Sequence, residues 1–249
     1  MTSFRGSSVT GVSNLYVSDM PNIRGLVLKL DASGISGVDD NGLTSWRDVS
    51  GNGYNATPVS GYPVYKTNIL NGKPIVRFTA ANNDGMRAYF PVSSTYTLFS
   101  VARMRDLGSA GRIIGSVNGT AANYLAGWWG GYEDSFYAEG WVNNSTTPAT
   151  TDWIQYTTKG TGSLSFIYRG GTLLYSNNNG VSSPNGALAL SGFTAGTSAE
   201  MSNCDIAEVI LYNRALSDIA RQVIEDYLFV KYGTSIGTPT APELPEEPL

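Results

Sequence analysis

The chain of 249 residues contains no histidine. This absence excludes a Ser-His-Asp hydrolase, a Cys-His protease and a histidine-ligated zinc site, because each of these chemistries depends on an imidazole ring. It also excludes any step in which an imidazole acts as general acid or base.

Cysteine and long apolar runs are also nearly absent. Cys204 is the single cysteine, so no intrachain disulfide forms, and we interpret it as a small buried apolar residue. No stretch approaches the roughly eighteen apolar residues that a membrane-spanning helix requires. The beginning of the sequence, Met-Thr-Ser-Phe-Arg-Gly-Ser-Ser, lacks the apolar core of a signal peptide. We therefore expect release through cell lysis or a dedicated export route if the protein acts outside a cell.

Charge is scarce and nearly balanced. Charged residues make up 14% of the chain and the formal net charge is −4, which gives no basic footprint for nucleic acid. Glycine and tyrosine are abundant instead, with 29 and 15 residues, a composition typical of many strands joined by tight turns. At this length an all-β sandwich commonly forms one domain with a sizeable core.

The chain divides into three parts. Residues 1–24 are polar and rich in Ser and Gly, and they predict an N-terminal arm with one short strand near Leu15. Residues 234–249 form a Pro-rich acidic tail that is too polar to fold alone. In residues 25–233, short β-rich segments alternate with clusters of Gly, Asn, Ser and Pro, the pattern of a sandwich. We predict strands at 26–30, 43–49, 74–78, 96–103, 112–117, 124–129, 135–142, 153–158, 163–168, 173–175, 187–190 and 206–212.

The end of the body predicts an amphipathic helix. It follows the β-branched segment Ile206–Tyr212, which is typical of a buried strand. Ser217 is the predicted N-cap, with Asp218 well placed at the positive helix start. Gly233 stands where a residue with positive φ commonly ends a helix. We expect the helix to close over the sandwich. Its apolar face is predicted to consist of Ile219, Val223, Tyr227 and Leu228.

Four segments carry a resemblance to a known family. They are Leu28–Ser33, Trp46–Gly53 with the following Asn55-Ala-Thr57, Asn71–Phe78, and the strand-to-helix end Ile206–Ser217. These segments resemble the opening and the ending of laminin-G-like, concanavalin A-like jelly-roll domains, over about residues 25–233. The resemblance implies two curved antiparallel sheets stacked face to face, with loops at one rim available for binding. Lectins, glycanases, adhesion modules and phage structural proteins share this fold, so it does not decide function.

The carboxylates argue against an enzyme. Glycanases of this superfamily carry closely spaced acids that alternate on one strand, so that two reach the same face. The nearest candidates here are Glu133, Asp134 and Glu139, and Glu133 and Glu139 are about 20 Å apart on an extended strand. Glu208 is the one acid inside the closing strand, and we interpret it as a structural acceptor for backbone donors or an arginine. We predict that the chain is not an enzyme.

The most suggestive stretch for binding runs from residue 128 to 141. It holds six aromatic residues in fourteen positions, interrupted by Gly130-Gly131. Aromatic rings can stack on the C–H face of a pyranose, with acids bonding its hydroxyls; alternatively, the segment is a hairpin whose alternate aromatics fill the core. Neighbouring Trp128 and Trp129 point to opposite faces of a regular strand, so we expect at least one outside the core. The predicted carbohydrate site consists of Trp128, Trp129, Tyr132, Glu133, Asp134, Tyr137 and Trp141.

Two oxygen-rich segments are candidates for calcium, which several laminin-G-like relatives bind. They are Asp39–Asn41 and Asn82–Asp84. Neither has the ligand spacing of a known calcium loop, and Asp and Asn are ordinary turn formers. We therefore predict no metal and no cofactor. Asp48, beside the turn Ser50–Gly53, is expected to be a turn-locking acceptor.

Two functional interpretations remain. In the first, the protein is a non-enzymatic structural or decoration protein on the surface of an assembly such as a phage virion. Its arm and tail would bind capsid or tail proteins in many copies, and its jelly-roll would face outward. The polar termini and the missing catalytic set favour it. In the second, it is a carbohydrate-binding, lectin-like module of an extracellular or cell-surface protein that uses the aromatic stretch. The two are compatible, since a virion protein can also bind host glycans.

Overall fold

The computed structural model describes residues 19–91, 93–108, 111–117, 123–192 and 200–233. These residues form fifteen strands, one α-helix, α1 (Asp218–Tyr232), and two short 3-10 turns at Ala32–Gly34 and Ala80–Asn82. In chain order the strands are β1 (Leu26–Asp31), β2 (Thr57–Ser60), β3 (Val64–Leu70), β4 (Lys73–Phe78), β5 (Gly85–Tyr89), β6 (Tyr96–Met104), β7 (Ile114–Gly115), β8 (Tyr124–Trp129), β9 (Tyr132–Ala138), β10 (Trp141–Asn143), β11 (Ile154–Gly160), β12 (Ser165–Arg169), β13 (Thr172–Asn177), β14 (Ala187–Leu190) and β15 (Cys204–Tyr212).

The strands form two sheets in which every pairing is antiparallel. The eight-stranded sheet has the order β13-β12-β11-β6-β15-β4-β3, with β1 paired to β15 beside this path. The seven-stranded sheet has the order β10-β9-β8-β7-β14-β5-β2. The predicted two-sheet antiparallel sandwich with a helix near the C-terminus is confirmed.

The main core lies between the two sheets and is rich in aromatic rings. Trp128 of the seven-stranded sheet meets Tyr156 of the other sheet edge to face, with ring centroids 4.8 Å apart. Tyr124 makes similar contacts with Tyr96 at 5.8 Å and with Phe136 at 5.6 Å. Such pairs contribute about 0.5–1.5 kcal/mol each beyond the burial of their area. These rings therefore join the sheets.

Helix α1 covers the outer face of the eight-stranded sheet. The Ser217 hydroxyl accepts a hydrogen bond from the N–H of Ala220 at 3.3 Å, and Gly233, with φ of 79°, follows the last turn. The predicted N-cap and helix end are confirmed. Ile219, placed on the apolar face by its spacing, is 72% exposed instead, because it lies in the first turn beyond the sheet contact. The buried cluster under the helix includes Phe99, Val101, Ala207, Ile210, Tyr212, Ile224, Tyr227, Leu228 and Tyr232.

Glu208 is buried between the closing strand and this helix. Its carboxylate accepts hydrogen bonds from Lys231 Nζ at 2.7 Å, from the hydroxyl of Tyr232 at 2.9 Å and from that of Tyr227 at 3.2 Å. Burial, together with the neighbouring carboxylate of Asp31, raises the pKa of Glu208, while the lysines oppose that shift. The role is structural, as predicted, but lysine and tyrosine donors replace the expected backbone groups and arginine.

Several strand boundaries differ from the predictions. Residues 43–49 form no strand, and Trp46 makes only an isolated bridge to Ala56. The reason is Asp48, whose carboxylate accepts hydrogen bonds from the backbone N–H groups of Lys29, Ser50 and Tyr54 and so holds a turn. The prediction that Asp48 accepts hydrogen bonds that hold this turn is therefore confirmed.

Two further predicted strands are altered, and three observed strands were not predicted. The segment 112–117 contributes only the two residues of β7, and the segment 135–142 divides at Glu139, where φ is 57°. The unpredicted strands β2, β3 and β5 are short or carry Pro, Asn and charged residues, and pairing with neighbours holds them in place.

The predicted arm and tail fall largely outside the described residues. Positions 1–18, including the short strand expected near Leu15, and positions 234–249 are not among them. Met20 and Ile23, at the end of the predicted arm, pack half-buried against the cluster beneath α1. Of the helices in the described ranges, none is long and apolar enough to span a membrane.

Candidate functional site

One corner of the seven-stranded sheet holds all seven residues of the predicted carbohydrate site. Strands β8 and β9 form a hairpin whose turn is Gly130-Gly131, with positive φ values of 62° and 85°. Glycine adopts such angles without steric cost, and a two-residue turn of this kind suits a tight hairpin. Strand β10 then pairs with β9, placing Trp141 opposite Tyr137. The local sequence thus brings these residues together.

Trp128 faces the interior of the sandwich. It is 1% exposed, and its ring packs against Tyr156 of the opposite sheet. Trp129 follows it on the strand and faces the other way, as the alternation of strand side chains requires. The adjacent pair is therefore divided between the core and the outer face.

Glu133 and Asp134 are held by interior partners. Glu133, which is 3% exposed, accepts hydrogen bonds from Arg169 at 2.7 Å and from the N–H of Thr150 at 3.0 Å. Asp134 accepts one from the hydroxyl of Tyr156 at 2.6 Å and one from Arg169 at 3.1 Å. Burial, with the Asp134 carboxylate beside it, raises the pKa of Tyr156. Both acids therefore lock the hairpin to the opposite sheet.

A local irregularity explains this inward placement. Asp134 has a φ of 66°, and the register between β8 and β9 shifts between Gly127 and Trp128. A bulge of this type inserts one residue and re-aims its neighbours. It turns Asp134 toward Tyr156 and lets Phe136 return to the core.

Trp129, Tyr132, Tyr137 and Trp141 form what we call the aromatic strip, on the outer face of β8, β9 and β10. Trp129 and Tyr132 are register partners, as are Tyr137 and Trp141, and partners share a face. Tyr132 is 42% exposed and the other three are half-buried. The Tyr137 and Trp141 rings meet edge to face at 5.1 Å. The strip thus presents two aromatic pairs to solvent.

Arg112 supports Trp129 from an adjacent segment. Its guanidinium lies 5.1 Å from the centre of the indole, and it bonds Glu200 at 2.7 Å and the side-chain oxygen of Asn123 at 2.6 Å. Burial lowers the pKa of Arg112, and Glu200 opposes that shift. The cation–π contact fixes the orientation of the indole. No local sequence pattern indicates this contact, because it joins residues from different strands.

The strip can provide stacking surfaces with polar groups close by. Tyr132 and Tyr137 are five positions apart, about 16 Å along an extended strand, so the two pairs are far enough apart to contact different units of one chain-like ligand. Asn177 donates to the carbonyl of Val142 at 2.7 Å, which places an amide beside Trp141. Glu139, the residue after β9, is exposed, and one of its carboxylate oxygens accepts a hydrogen bond from the N–H of Asn123. Rings with flanking amides and carboxylates suit the C–H faces and hydroxyls of a sugar.

The segments considered for calcium are engaged in other contacts. Asp39 accepts hydrogen bonds from the N–H of Thr67 at 2.6 Å and from Lys66 at 3.4 Å. Asp84 accepts them from the N–H groups of Tyr62 at 3.1 Å and Thr79 at 2.9 Å. Within the described ranges, no group of three or more His, Cys, Asp or Glu side chains is arranged to hold a metal ion.

Comparison by sequence identifies no relative: no family model matches the chain, and no curated protein matches it. Comparison of the fold with solved structures does find similar proteins. Domain 4 of an extracellular GH43 arabinanase from Geobacillus stearothermophilus, solved in complex with arabinotriose, superposes with a TM-score of 0.60 at 16% identity. The match covers 81% of this chain and 98% of that domain.

Two further solved structures share the fold. A sialidase from Trypanosoma rangeli, in complex with the inhibitor DANA, matches 86% of this chain with a TM-score of 0.54 at 18% identity. The binding domain of botulinum neurotoxin serotype D matches 81% of this chain with a TM-score of 0.54 at 13% identity. The chain spans 34% of the sialidase and 51% of the neurotoxin binding-domain structure. At these identities the likeness establishes the β-sandwich fold.

Proposed function

We propose that this chain is a non-catalytic carbohydrate-binding module that holds glycans on the aromatic strip. The observation that carries the proposal is the division of the aromatic stretch: Trp128 fills the core, while Trp129, Tyr132, Tyr137 and Trp141 remain on the outer face. A stretch needed only for packing would not require four partly exposed rings on one side of the sheet. Rigid aromatic side chains stack on sugars at low entropic cost.

The nearby acids support binding rather than hydrolysis. A glycosidase needs two carboxyl groups that face one ligand across a scissile bond. Glu133 and Asp134 are instead bonded by Arg169 and Tyr156 on the interior side of the sheet. Their carboxylates thus brace the strip from the interior side, and the groups that face a ligand are the aromatic rings.

The fold comparisons are consistent with this function. The arabinanase domain was solved with arabinotriose and the sialidase with DANA, so sandwiches of this architecture occur in proteins of glycan metabolism. By that analogy we expect the module to act outside the cell or at its surface. The structures named above give no support to the virion interpretation, and the contacts it invokes fall mainly in residues 1–18 and 234–249, outside the described ranges.

The test is a glycan array followed by titration of the strongest neutral oligosaccharide. We expect Trp141→Ala and Tyr137→Ala each to weaken binding of the oligosaccharide at least about tenfold. Losing one stacked aromatic ring costs on the order of 1–2 kcal/mol. Neither should change the melting temperature by more than a few degrees.

Leu173→Ala is the matched control. Leu173 is 49% exposed and lies on the other sheet, so its loss removes apolar surface without touching the strip. Unchanged affinity in both strip variants, or equal weakening in Leu173→Ala, would exclude the aromatic strip as the binding site.

A further inference from the structure

Arg87 is an exception among the cationic side chains. Its guanidinium makes no hydrogen bond and no ion pair with any described residue, and its one recorded contact is with the ring of Tyr89. Arg24, Arg47, Lys73 and Arg214 also lack an acidic partner in the described ranges, but they are exposed, whereas Arg87 is half-buried. A half-buried guanidinium gives up part of its hydration without a partner in return. Such a group is available to a ligand.

Tyr89 holds Arg87 in place and is itself open to solvent. The guanidinium lies 5.6 Å from the centre of the Tyr89 ring, and Tyr89 is 51% exposed. Both side chains point to the outer face of β5, because Met86 and Ala88 between and beside them face the core. The ring orients the guanidinium by a cation–π contact and keeps its second face free.

The surroundings of this pair contain only small or neutral side chains on the neighbouring strands. Ala189 lies opposite Arg87, and Ala187 lies opposite Tyr89, on β14. On the other side Thr57 of β2 is the register partner of Arg87 and is exposed. No carboxylate on these strands competes for the five N–H donors of the guanidinium.

Arg87 and the aromatic strip belong to the same sheet and the same outer face. Strand β5 is separated from β9 by β14, β7 and β8, which places the two sites about 19 Å apart across the strands. The face between them is covered, because Ala187 and Ala189 of β14 are fully buried with Val117, so a glycan that contacts both sites has to bridge this covered part of the sheet. The strip would contact its neutral rings, and Arg87 would contact a unit that carries a negative charge.

We propose that Arg87 and Tyr89 form a subsite for the carboxylate of an acidic sugar. This inference extends the proposed function, since the strip supplies the rest of the binding surface. The planar guanidinium matches a carboxylate with two parallel hydrogen bonds, and the free face of Tyr89 stacks on the sugar ring that bears it. The chain as a whole carries a net charge of −4, so attraction to an acidic glycan has to be local.

The experiment measures binding to acidic glycans and to their neutral counterparts on one array, using uronate oligosaccharides with their methyl esters and sialylated glycans with their desialylated forms. The wild-type protein should prefer an acidic member at least about tenfold over its neutral counterpart. Arg87→Gln should abolish that preference and leave binding of the neutral form unchanged. Arg87→Lys, which keeps the charge but loses the planar fork, should retain part of it.

Arg47→Gln is the matched control, because Arg47 also lacks an acidic partner but is exposed and lies outside the seven-stranded sheet. The inference is overturned if the wild-type protein shows no acidic preference, or if Arg87→Gln preserves it, or if Arg47→Gln removes it equally. Trp141→Ala separates the two proposals. Binding of an acidic glycan that depends on Arg87 and is not weakened by Trp141→Ala would support the subsite and reject the strip. Binding of neutral glycans that depends on Trp141, with no acidic preference, would support the strip and reject the subsite. Absence of any glycan binding would reject both proposals.

Discussion

The outer faces of the two sheets differ in how far their polar and aromatic side chains are buried and paired. On the eight-stranded sheet, α1 covers the face, and the charged groups beneath it are paired: Glu208 with Lys231 at 2.7 Å and Lys29 at 3.5 Å, and Arg221 with Glu225. On the seven-stranded sheet, no described helix covers the face, and its burial is local: Ala187 and Ala189 are fully buried with Val117, whereas the two ends of the face are partly exposed. Its aromatic strip is partly exposed and Arg87 has no acidic partner.

The difference shows that burial decides which polar side chains are paired within the protein and which can bind a ligand. A charge under a packed helix loses its hydration, so it persists only with a partner and hydrogen bonds. A side chain on an uncovered face is not subject to that requirement, and its unmet bonding capacity can serve a ligand. Arginine shows the difference: the buried Arg221 and Arg112 are paired with Glu225 and Glu200, whereas the half-buried Arg87 has no acidic partner among the described residues.

Among the predicted changes in stability, the largest should follow from removing Glu208, a buried charge of the covered face. Glu208→Ala leaves Asp31 to pair with both Lys231 and Lys29 and removes the acceptor of the Tyr227 and Tyr232 hydroxyls, so we expect the free energy of unfolding to fall by about 3–4 kcal/mol. Urea denaturation monitored by tryptophan fluorescence measures it. Asp152→Ala, which removes an exposed acid of the loop before β11, is the control and should change stability by less than about 0.5 kcal/mol. Equal effects of the two changes would contradict the distinction between covered and open faces.

The adjacent tryptophans of β8 allow a buried and a partly exposed side chain to be compared within one strand. Trp128→Ala should lower the free energy of unfolding by about 3 kcal/mol, near the small end of the range for tryptophan removal, because its buried indole N–H has no hydrogen-bond partner to lose. Trp129→Ala should cost about 1 kcal/mol but weaken glycan binding. Calorimetry and titration of both variants measure the two quantities. A larger loss of stability in Trp129→Ala would show that Trp129 belongs to the packing.

The smallest effect concerns the start of the helix. Lys159 bonds Asp218 at 2.9 Å and, more than any other contact, lowers the pKa of this carboxyl below its ordinary 3.8. A lowered folded-state pKa stabilises the fold above the unfolded value, and that stabilisation is lost as pH falls through the folded value. Because Asp218 is mostly exposed, Asp218→Asn should cost less than about 1 kcal/mol at pH 7. In urea titrations at successively lower pH, the difference between variant and wild type should shrink as the carboxyl becomes protonated; a difference that does not shrink would show that the carboxylate's ion pair with Lys159 is not its cause.

Features that depend on local sequence were predicted well. The helix bounds follow from Ser217 and Gly233, and β8 and β14 have the predicted limits, because caps and apolar strand patterns act over a few residues. Strand β5 was missed, since its sequence Gly-Met-Arg-Ala-Tyr has no run of β-branched residues and is held by β14 and β2. Arg87 and Tyr89 were missed with it.

The sequence predicted which segment contains the candidate site, but not which of its side chains face solvent. The density of aromatics in residues 128–141 indicates where to look, and alternation separates Trp128 from Trp129. Strict alternation fails at Asp134, because the bulge there is set by bonds to Tyr156 and Arg169, which lie 22 and 35 positions away. The inward turn of the two acids therefore has no local signal.

The sequence by itself determined the type of fold and excluded the chemistries that need histidine. Its short β-rich segments, separated by turn residues, form a packed two-sheet sandwich without an intrachain disulfide. Only the tertiary structure decided which rings face solvent, which acids bond interior partners and which half-buried arginine has no acidic partner. The reason is physical: burial and pairing are properties of strand register, and register arises from contacts between segments far apart in the chain.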